Sequence, residues 1–379
     1  MAAFAAVITG KGTGAIATIQ LCDGSAKGVL DKIFKPSAKF AVGKIHVGTI
    51  TDGSRTIDQV TIGCEKPDTF SINCHGNPLI VEQIMQLLQQ RGVELITAEQ
   101  LLVRTFDGIN TIALEAKLNL LKAKTIEGTQ IILNQIDSGL TSTAKNWLEN
   151  PTDKIAAEDK KIIEASKIAK LIIFGCRIVL AGPPNTGKST LLNQLCGNQK
   201  AIVTNIKGTT RDWVSAECRI GPMSVELIDT AGLDEKLTDD IDKAAKKAAV
   251  ELINQADLVL LLLDNSELVQ QLTAGLINTI SGKKTLVVLN KSDLPCRFDP
   301  TKLPPFLSNT AAISAKLGDG IENLCTEIQR LAGIENFDPR QPVCFTARQE
   351  QLLRQLVTAD SQNKAATFIT ELLSGPPDV

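Results

Sequence analysis

The sequence predicts an α/β and α+β multidomain protein whose largest sheet is parallel and doubly wound. Three observations lead there. The chain has 379 residues, beyond the roughly 250–300 at which a single hydrophobic core stops growing. After Arg177, short apolar runs (RIVLAG, SVELIDTAG, LVLLLLD, TLVVLNKSD, AAISA) alternate with helical stretches, as strands buried on both faces by crossover helices do. The segment before them carries no strand signal, only apolar residues at three- and four-residue spacing.

Taken in order, residues 1–112 alternate β-like runs (AAFAAVIT, AIATIQL, KIHVGTI, DQVTIGC, TFSINC) with helical patterns at Ser25–Phe34 and Pro78–Gln90, which predicts a small α+β domain. Within it, Gly10-Lys-Gly-Thr-Gly14 precedes a strand rather than a helix, so it reads as a turn and not a dinucleotide loop. Cys74 and His75 are neighbours on an extended segment, where adjacent side chains face apart, so Cys74 is expected to be a packed thiol. Residues 113–175 contain ALEAKLNLLKAKTIEGTQIILNQI and EDKKIIEASKIAKLIIF, two helical patterns broken near Asn150-Pro151. Residues 176–334 form the doubly wound region. In 335–379, ARQEQLLRQLVTA is helical and KAATFITELL suggests a second helix.

Composition narrows the chemistry. The absence of Tyr and the presence of only two His, His46 and His75, exclude a tyrosine acid or base and a His-rich metal cage, and leave little scope for a Ser-His-Asp triad. Lys and Arg total 40 against 42 Asp and Glu, a net charge of −2, which argues against a strongly basic nucleic-acid surface. Nine scattered cysteines without a CxxC pair indicate a reducing compartment. The opening MAAFAAVITGKG is too short in apolar residues for a signal peptide, and the purest apolar run, Leu258 to Leu263, falls far short of the ~20 residues that span a bilayer. A cytoplasmic protein without membrane contact is expected.

The strongest local signal is Gly182-Pro-Pro-Asn-Thr-Gly187-Lys188-Ser189, a complete GxxxxGK[ST] between the strand RIVLA and the helical STLLNQL. Its glycines let backbone N–H groups wrap phosphate oxygens. Asn185, Thr186, Gly187 and Thr190 contribute to the loop and helix start, Lys188 reaches the β- and γ-phosphates, and Ser189 ligates Mg²⁺. Asn290-Lys291-Ser292-Asp293 follows the strand TLVVL at the carboxyl edge of the sheet. A carboxylate at Asp293 can accept from N1–H and the exocyclic amine of guanine, which adenine cannot offer. Ser314-Ala315-Lys316 can present a backbone N–H to guanine O6. Asp229-Thr-Ala-Gly232 supplies an aspartate that holds Mg²⁺ through water and an amide at Gly232 for the γ-phosphate, and Thr210 in Gly208-Thr-Thr-Arg-Asp212 can close the Mg²⁺ shell. Together these predict a binder of GTP and GDP that hydrolyses GTP, with Lys188 and Thr210 among its catalytic groups.

The set resembles the G1 to G5 motifs of the translation-factor class of GTPases over 176–334. Leu233 stands where a Ras-like enzyme has glutamine, so water must be oriented from elsewhere. Asn185, with Thr204, Ile206 and Thr209, resembles the K⁺-binding arrangement of one group within that class, in which K⁺ stands where an arginine finger would.

The whole arrangement resembles the tRNA modification GTPase MnmE (TrmE) family. Gly10-Lys-Gly-Thr-Gly14 is similar to its opening glycine-rich segment, Cys74-His75-Gly76 with the following PLIVEQIMQLL to its CHGG-helix unit, and Arg104-Thr-Phe-Asp-Gly-Ile-Asn to its RAFLNGK stretch. NTGKSTLLN, GTTRD and DTAGL match its G domain. The resemblance implies an N-terminal folate-binding-like domain that dimerises and a P-loop GTPase domain inserted in a helical one. It also implies a flavoprotein partner of the MnmG/GidA type and tRNA whose wobble uridine is modified. Departures accompany the match. The family's folate-site arginine aligns with Thr18 and its glutamate with Ser71, which weighs against a folate derivative. Its water-orienting glutamate aligns with Asp242. Its Cys-(Ile/Leu/Val)-Gly-Lys terminus has no counterpart in Gly375-Pro-Pro-Asp-Val379, so the chain reads as a shortened member. Two readings stay open: a K⁺-stimulated GTPase of wobble-uridine modification, or a GTP switch acting as a binding and dimerisation module without that chemistry.

Overall fold

The computed structural model describes residues 2–10, 12–36, 41–106, 108, 110–151, 155–197, 214–229, 240–268 and 271–377. The chain divides into two compact units, Met1–Ile109 and Asn110–Asp378.

In the first unit the chain runs β1 (Phe4–Val7), β2 (Ile16–Cys22), α1 (Ala26–Ile33), β3 (Phe34–Pro36), β4 (Ile45–Asp52), β5 (Arg55–Lys66), β6 (Thr69–His75), α2 (Pro78–Gln90), β7 (Glu94–Leu95) and α3 (Ala98–Thr105). The strands form one mixed sheet ordered β3-β4-β5-β6-β2-β1-β7, with β7 parallel to β1 and the other pairs antiparallel. Its core joins Ile19, Leu21, Ile62 and Ile72 on alternate strand positions to Leu30 and Ile33 of α1 and Ile84 and Leu88 of α2. Helix α3, absent from the periodicity reading, begins with a capping box in which Thr97 and Gln100 satisfy each other's backbone N–H groups.

Gly14 and Ala15, just before β2, are zipped to the end of β6. The Gly14 amide donates to the Gly76 carbonyl at 3.0 Å and the Gly76 amide to that of Ala15 at 3.2 Å. A Cβ on Gly76 would lie 2.4 Å from the Gly14 oxygen, so only glycine permits this approach. Cys74 is buried, and burial, with the charge of Asp58 adding to it, pushes its thiol up to about 11.

The second unit opens with α4 (Thr111–Leu120), α5 (Ile126–Asp137), α6 (Gly139–Glu149) and α7 (Ile155–Phe174). The single helical run expected over this region is broken at Thr125, whose hydroxyl caps α5 by accepting from Gly128 N–H and donates to the Ile172 carbonyl of α7. There follow β8 (Cys176–Ala181), α8 (Lys188–Gly197), β9 (Val214–Ile220), β10 (Met223–Asp229), α9 (Asp240–Gln255), β11 (Leu258–Asp264), α10 (Ala274–Ile280), β12 (Thr285–Asn290), β13 (Thr310–Ala312) and α11 (Ile321–Ala332). Helices α12 (Ala347–Val357) and α13 (Gln362–Ser374) end it.

The sheet is ordered β13-β12-β11-β8-β10-β9, parallel except for the edge strand β9. All seven residues of β11 are buried, and the period of two divides them: Leu258, Leu260 and Leu262 join the core shared with α7, while Val259, Leu261 and Leu263 join the one on the other face. The helices on either side of the sheet in sequence pack together. Arg348 of α12 bonds the fully buried Glu115 of α4 at 2.6 and 3.1 Å and donates to the carbonyls of Glu371 and Leu372 at the end of α13. No helix among the described residues is long and apolar enough to cross a membrane.

Asp159 on α7 is fully buried, and neither carboxylate oxygen finds a hydrogen-bond partner among the described residues. Burial pushes its carboxyl from the ordinary 3.8 up to about 8. Because the folded state holds this proton and the unfolded state releases it near the ordinary value, stability is lost as pH rises from about 4 through about 8. Relative to Asp159→Asn, the wild type is expected to lose about 1.4 kcal/mol per pH unit across that window and to level off above it, as read by urea unfolding at stepped pH. Parallel pH profiles would show that Asp159 does not carry the proton.

Candidate nucleotide site

The parallel strands place their carboxyl ends along one edge. Chain order reverses direction there: β10 pairs with one side of β8 and β11 with the other, so a crevice opens outside β8. The loop from β8 to α8 fills it. Gly182 has φ +138, and a Cβ there would meet the Leu262 carbonyl at 2.2 Å. Gly187 has φ +94, and its Cβ would collide with Asn290 Nδ2 at 2.3 Å. Asn185 also takes the left-handed region, at φ +62, a conformation that asparagine tolerates better than most side chains.

Lys188 and Ser189 start α8. The Lys188 ammonium donates to the carbonyls of Gly182 and Pro183, both at 2.9 Å, which curls the loop around it. The Ser189 hydroxyl donates to Asp229 Oδ2 at 2.5 Å. The other oxygen of Asp229 is buried and finds no partner among the described residues. An uncompensated carboxylate oxygen beside a serine hydroxyl is the donor set of a hard cation, so this pair fits Mg²⁺.

The far side of the crevice is held by Asn290, 3% exposed at the end of β12. Its Nδ2 donates to the Thr186 carbonyl at 2.7 Å, and its Oδ1 accepts from the Ala315 amide at 2.9 Å. The loop after β12 and the loop after β13 are therefore fastened to the glycine loop by one carboxamide. The buried Ser314 donates to Asp293 Oδ1 at 2.6 Å. That bond holds the Asp293 carboxyl below its ordinary range, with Lys316 and Lys291 adding smaller charge effects. Asp293 itself is exposed to solvent. The Ala315 amide, a candidate donor to the base, is engaged by Asn290. Asn185, Gly187, Lys188, Ser189, Thr190, Asn290, Lys291, Asp293 and Lys316 line one cavity of about 600 Å³, large enough for a small ligand.

Thr204, Ile206, Thr209, Thr210, Gly232 and the side chain of Asp242 lie outside the described residues. Two carboxylates that anchor motif residues escaped the sequence reading. Asp264 closes β11 at the same edge and bonds Lys291, and its position at the end of the LVLLLLD run, matching Asp229 and Asn290 at the ends of their strands, was the available signal. In the first unit, Asp58 accepts from both the backbone N–H and Nδ1 of His75 at 2.9 and 2.7 Å, a pairing across 17 residues that no local pattern announces. The positions matching the family's folate charges engage their neighbours: Thr18 donates to Asn73 Oδ1 at 2.8 Å, and Ser71 bonds Gln20 and Glu65.

The chain is similar to several known proteins. A family model described as 50S ribosome-binding GTPase matches residues 177–291. The G domain of the T. maritima FeoB iron transporter is 26% identical, covering 41% of this chain and 98% of that one at a TM-score of 0.35. The tRNA modification GTPase MnmE of Lacticaseibacillus paracasei is 30% identical over 397 residues, covering 93% of this chain and 86% of that protein. The MnmE of Bacillus mycoides is 31% identical over 366 residues, covering 84% and 80%. With likeness at that level over most of both chains, the chain belongs to the tRNA modification GTPase MnmE family.

Proposed function

We propose that this protein binds GTP in the crevice and hydrolyses it to GDP and phosphate with K⁺ stimulation, and that turnover serves wobble-uridine modification of tRNA. The observation that carries the nucleotide reading is the Asn290 carboxamide, which makes the phosphate loop and both base loops a single site. In this reading Asn185 to Thr190 surround the phosphates. Lys188 exchanges its two loop carbonyls for β- and γ-phosphate oxygens, gaining charge-assisted bonds. Ser189 would hold Mg²⁺ directly and Asp229 through water, with Thr210 completing the shell and the Gly232 amide meeting the γ-phosphate. A bound Mg²⁺ offsets the negative charge that grows between the phosphates. Asp293 accepts from the guanine edge and the Ser314–Lys316 backbone faces O6. Asn185, Thr204, Ile206 and Thr209 hold K⁺, and Asp242 orients the attacking water.

Family membership supports the wider proposal: a cytoplasmic homodimer formed through residues 1–112, a flavoprotein partner of the MnmG/GidA type, and tRNA as the shared substrate. Residues 113–175 and 335–379 then form one helical domain around the GTPase segment 176–334. A second reading, a GTP-dependent binding and dimerisation module without modification chemistry, draws on the folate-like sheet face, where Thr18 and Ser71 carry no charge for a folate and Glu65 adds a negative one.

Asp293→Asn is expected to lower the preference for GTP over xanthosine triphosphate by about a hundredfold in competition binding, since the amide still accepts from N1–H but its own N–H now faces the guanine amine and pairs instead with the 2-oxo group of xanthine; unchanged selectivity would move the base elsewhere. GTP turnover is expected to be faster in K⁺ than in Na⁺, and Asn185→Ala to erase that difference. Equal rates in the wild type would remove K⁺ from the mechanism. Expression in a strain lacking its own MnmE is expected to restore wobble-uridine modification in tRNA read by mass spectrometry, and failure with GTP turnover intact would favour the binding module.

A further inference from the structure

Asp264, the last residue of β11, is 7% exposed and lies in register with Asn290. Its Oδ2 accepts from the Lys291 ammonium at 2.5 Å, and its Oδ1 accepts from the Ser266 amide and hydroxyl at 2.9 and 2.6 Å. Its backbone is bracketed by Gln271, which accepts from the Asp264 N–H and donates to its carbonyl, both at 2.8 Å. A carboxylate fixed on so many sides fixes what it binds. Burial raises its pKa, but the bonds from Lys291 and Ser266 outweigh that, and the net direction is downward, so Asp264 stays ionised opposite the ammonium.

Lys291 lines the nucleotide cavity, whereas Asp264 does not. The lysine backbone is left-handed, at φ +65, a conformation that costs a non-glycine residue about 1 kcal/mol and needs an anchor. The same strand end also grips the far end of the loop: the Asn265 carbonyl accepts from the amides of Arg297 and Phe298 at 2.9 and 3.2 Å. With its ammonium drawn to Asp264, the lysine offers the cavity its methylene stem.

We propose that Asp264 is a positioning residue for the base: by holding the Lys291 ammonium at the strand end, it lays the lysine stem as an apolar wall against the flat face of the guanine and keeps the cation away from the ring's N–H donors. This rests on the reading of the cavity as a guanine nucleotide site. The effect is expected at the base, because the Asp264 and Lys291 side chains bond each other and Ser266 and not the phosphate loop, whose tie runs through Asn290.

Binding of a fluorescent GDP analogue and of inorganic triphosphate to the full-length chain separates the possibilities. Asp264→Asn is expected to weaken GDP binding and raise KM for GTP about tenfold, with kcat and the Kd for triphosphate changing by less than about twofold. Lys291→Met is expected to weaken GDP similarly, and the double variant to be no weaker than either single one. Equal loss of GDP and triphosphate in Asp264→Asn would assign it a general structural role and overturn the proposal, as would unchanged GDP binding or additive losses. Failure of the wild type to bind GDP at all would instead overturn the guanine reading.

Discussion

Everything the crevice can do depends on the carboxamide of Asn290. Its donor end reaches the phosphate loop and its acceptor end the loop after β13, so neither loop can shift without the other. Asparagine is suited to this because one short side chain presents a donor and an acceptor in fixed opposition. The arrangement also explains Gly187 beyond its positive φ: the amide occupies the volume a Cβ would need. A buried amide bonded at both ends stabilises the site, and one bonded at one end would destabilise it, so the three loops hold together or fail together.

Outside the crevice, the second unit is tied by a different device. Glu115 and Arg348 are 233 positions apart and bury an ion pair whose desolvation costs several kcal/mol for each charge. The cost is offset because the remaining valences are filled: Gln349 donates to the second Glu115 oxygen at 2.7 Å, and the guanidinium sits on the last carbonyls of α13, where a helix end favours a cation. The pair therefore specifies which helices meet more than it adds stability. Sheet and helices are joined separately, by the core that continues from Ile172 and Ile173 into Ile178 and Leu227, and at its margin by Lys124 with Glu217 and Glu127 with Arg219. Both of those sheet partners lie on β9, the strand that follows the GTTRD segment.

Where the sequence was legible, one period dominated. The buried runs at β8, β10, β11 and β12 and the glycine loop between β8 and α8 follow from pattern alone, because parallel strands must be apolar on both faces and phosphate loops must lack Cβ atoms. Helix α6 and the break between α4 and α5 were not legible. The break depends on Thr125 reaching a carbonyl of α7, a contact 47 residues away. The same limit applies to the site: residue types at the strand ends pointed to nucleotide chemistry, whereas the burial of Asp264, the exposure of Asp293 and the Asp58–His75 pair depend on which strands become neighbours.

Three carboxylates at that strand edge show how partners, more than residue type, divide the labour. Asp229 is buried, with one oxygen on Ser189 and the other uncompensated, which suits a cation. Asp264 is equally buried but matched by Lys291 and Ser266, so it has nothing left to give a ligand and serves by holding another side chain. Asp293 is open to solvent, restrained through one oxygen by Ser314, and keeps the other for a partner that arrives from outside. In a chain without tyrosine and with two histidines, one kind of group held in three different surroundings along a strand edge presents an uncompensated oxygen, a paired anchor and a solvent-facing carboxylate.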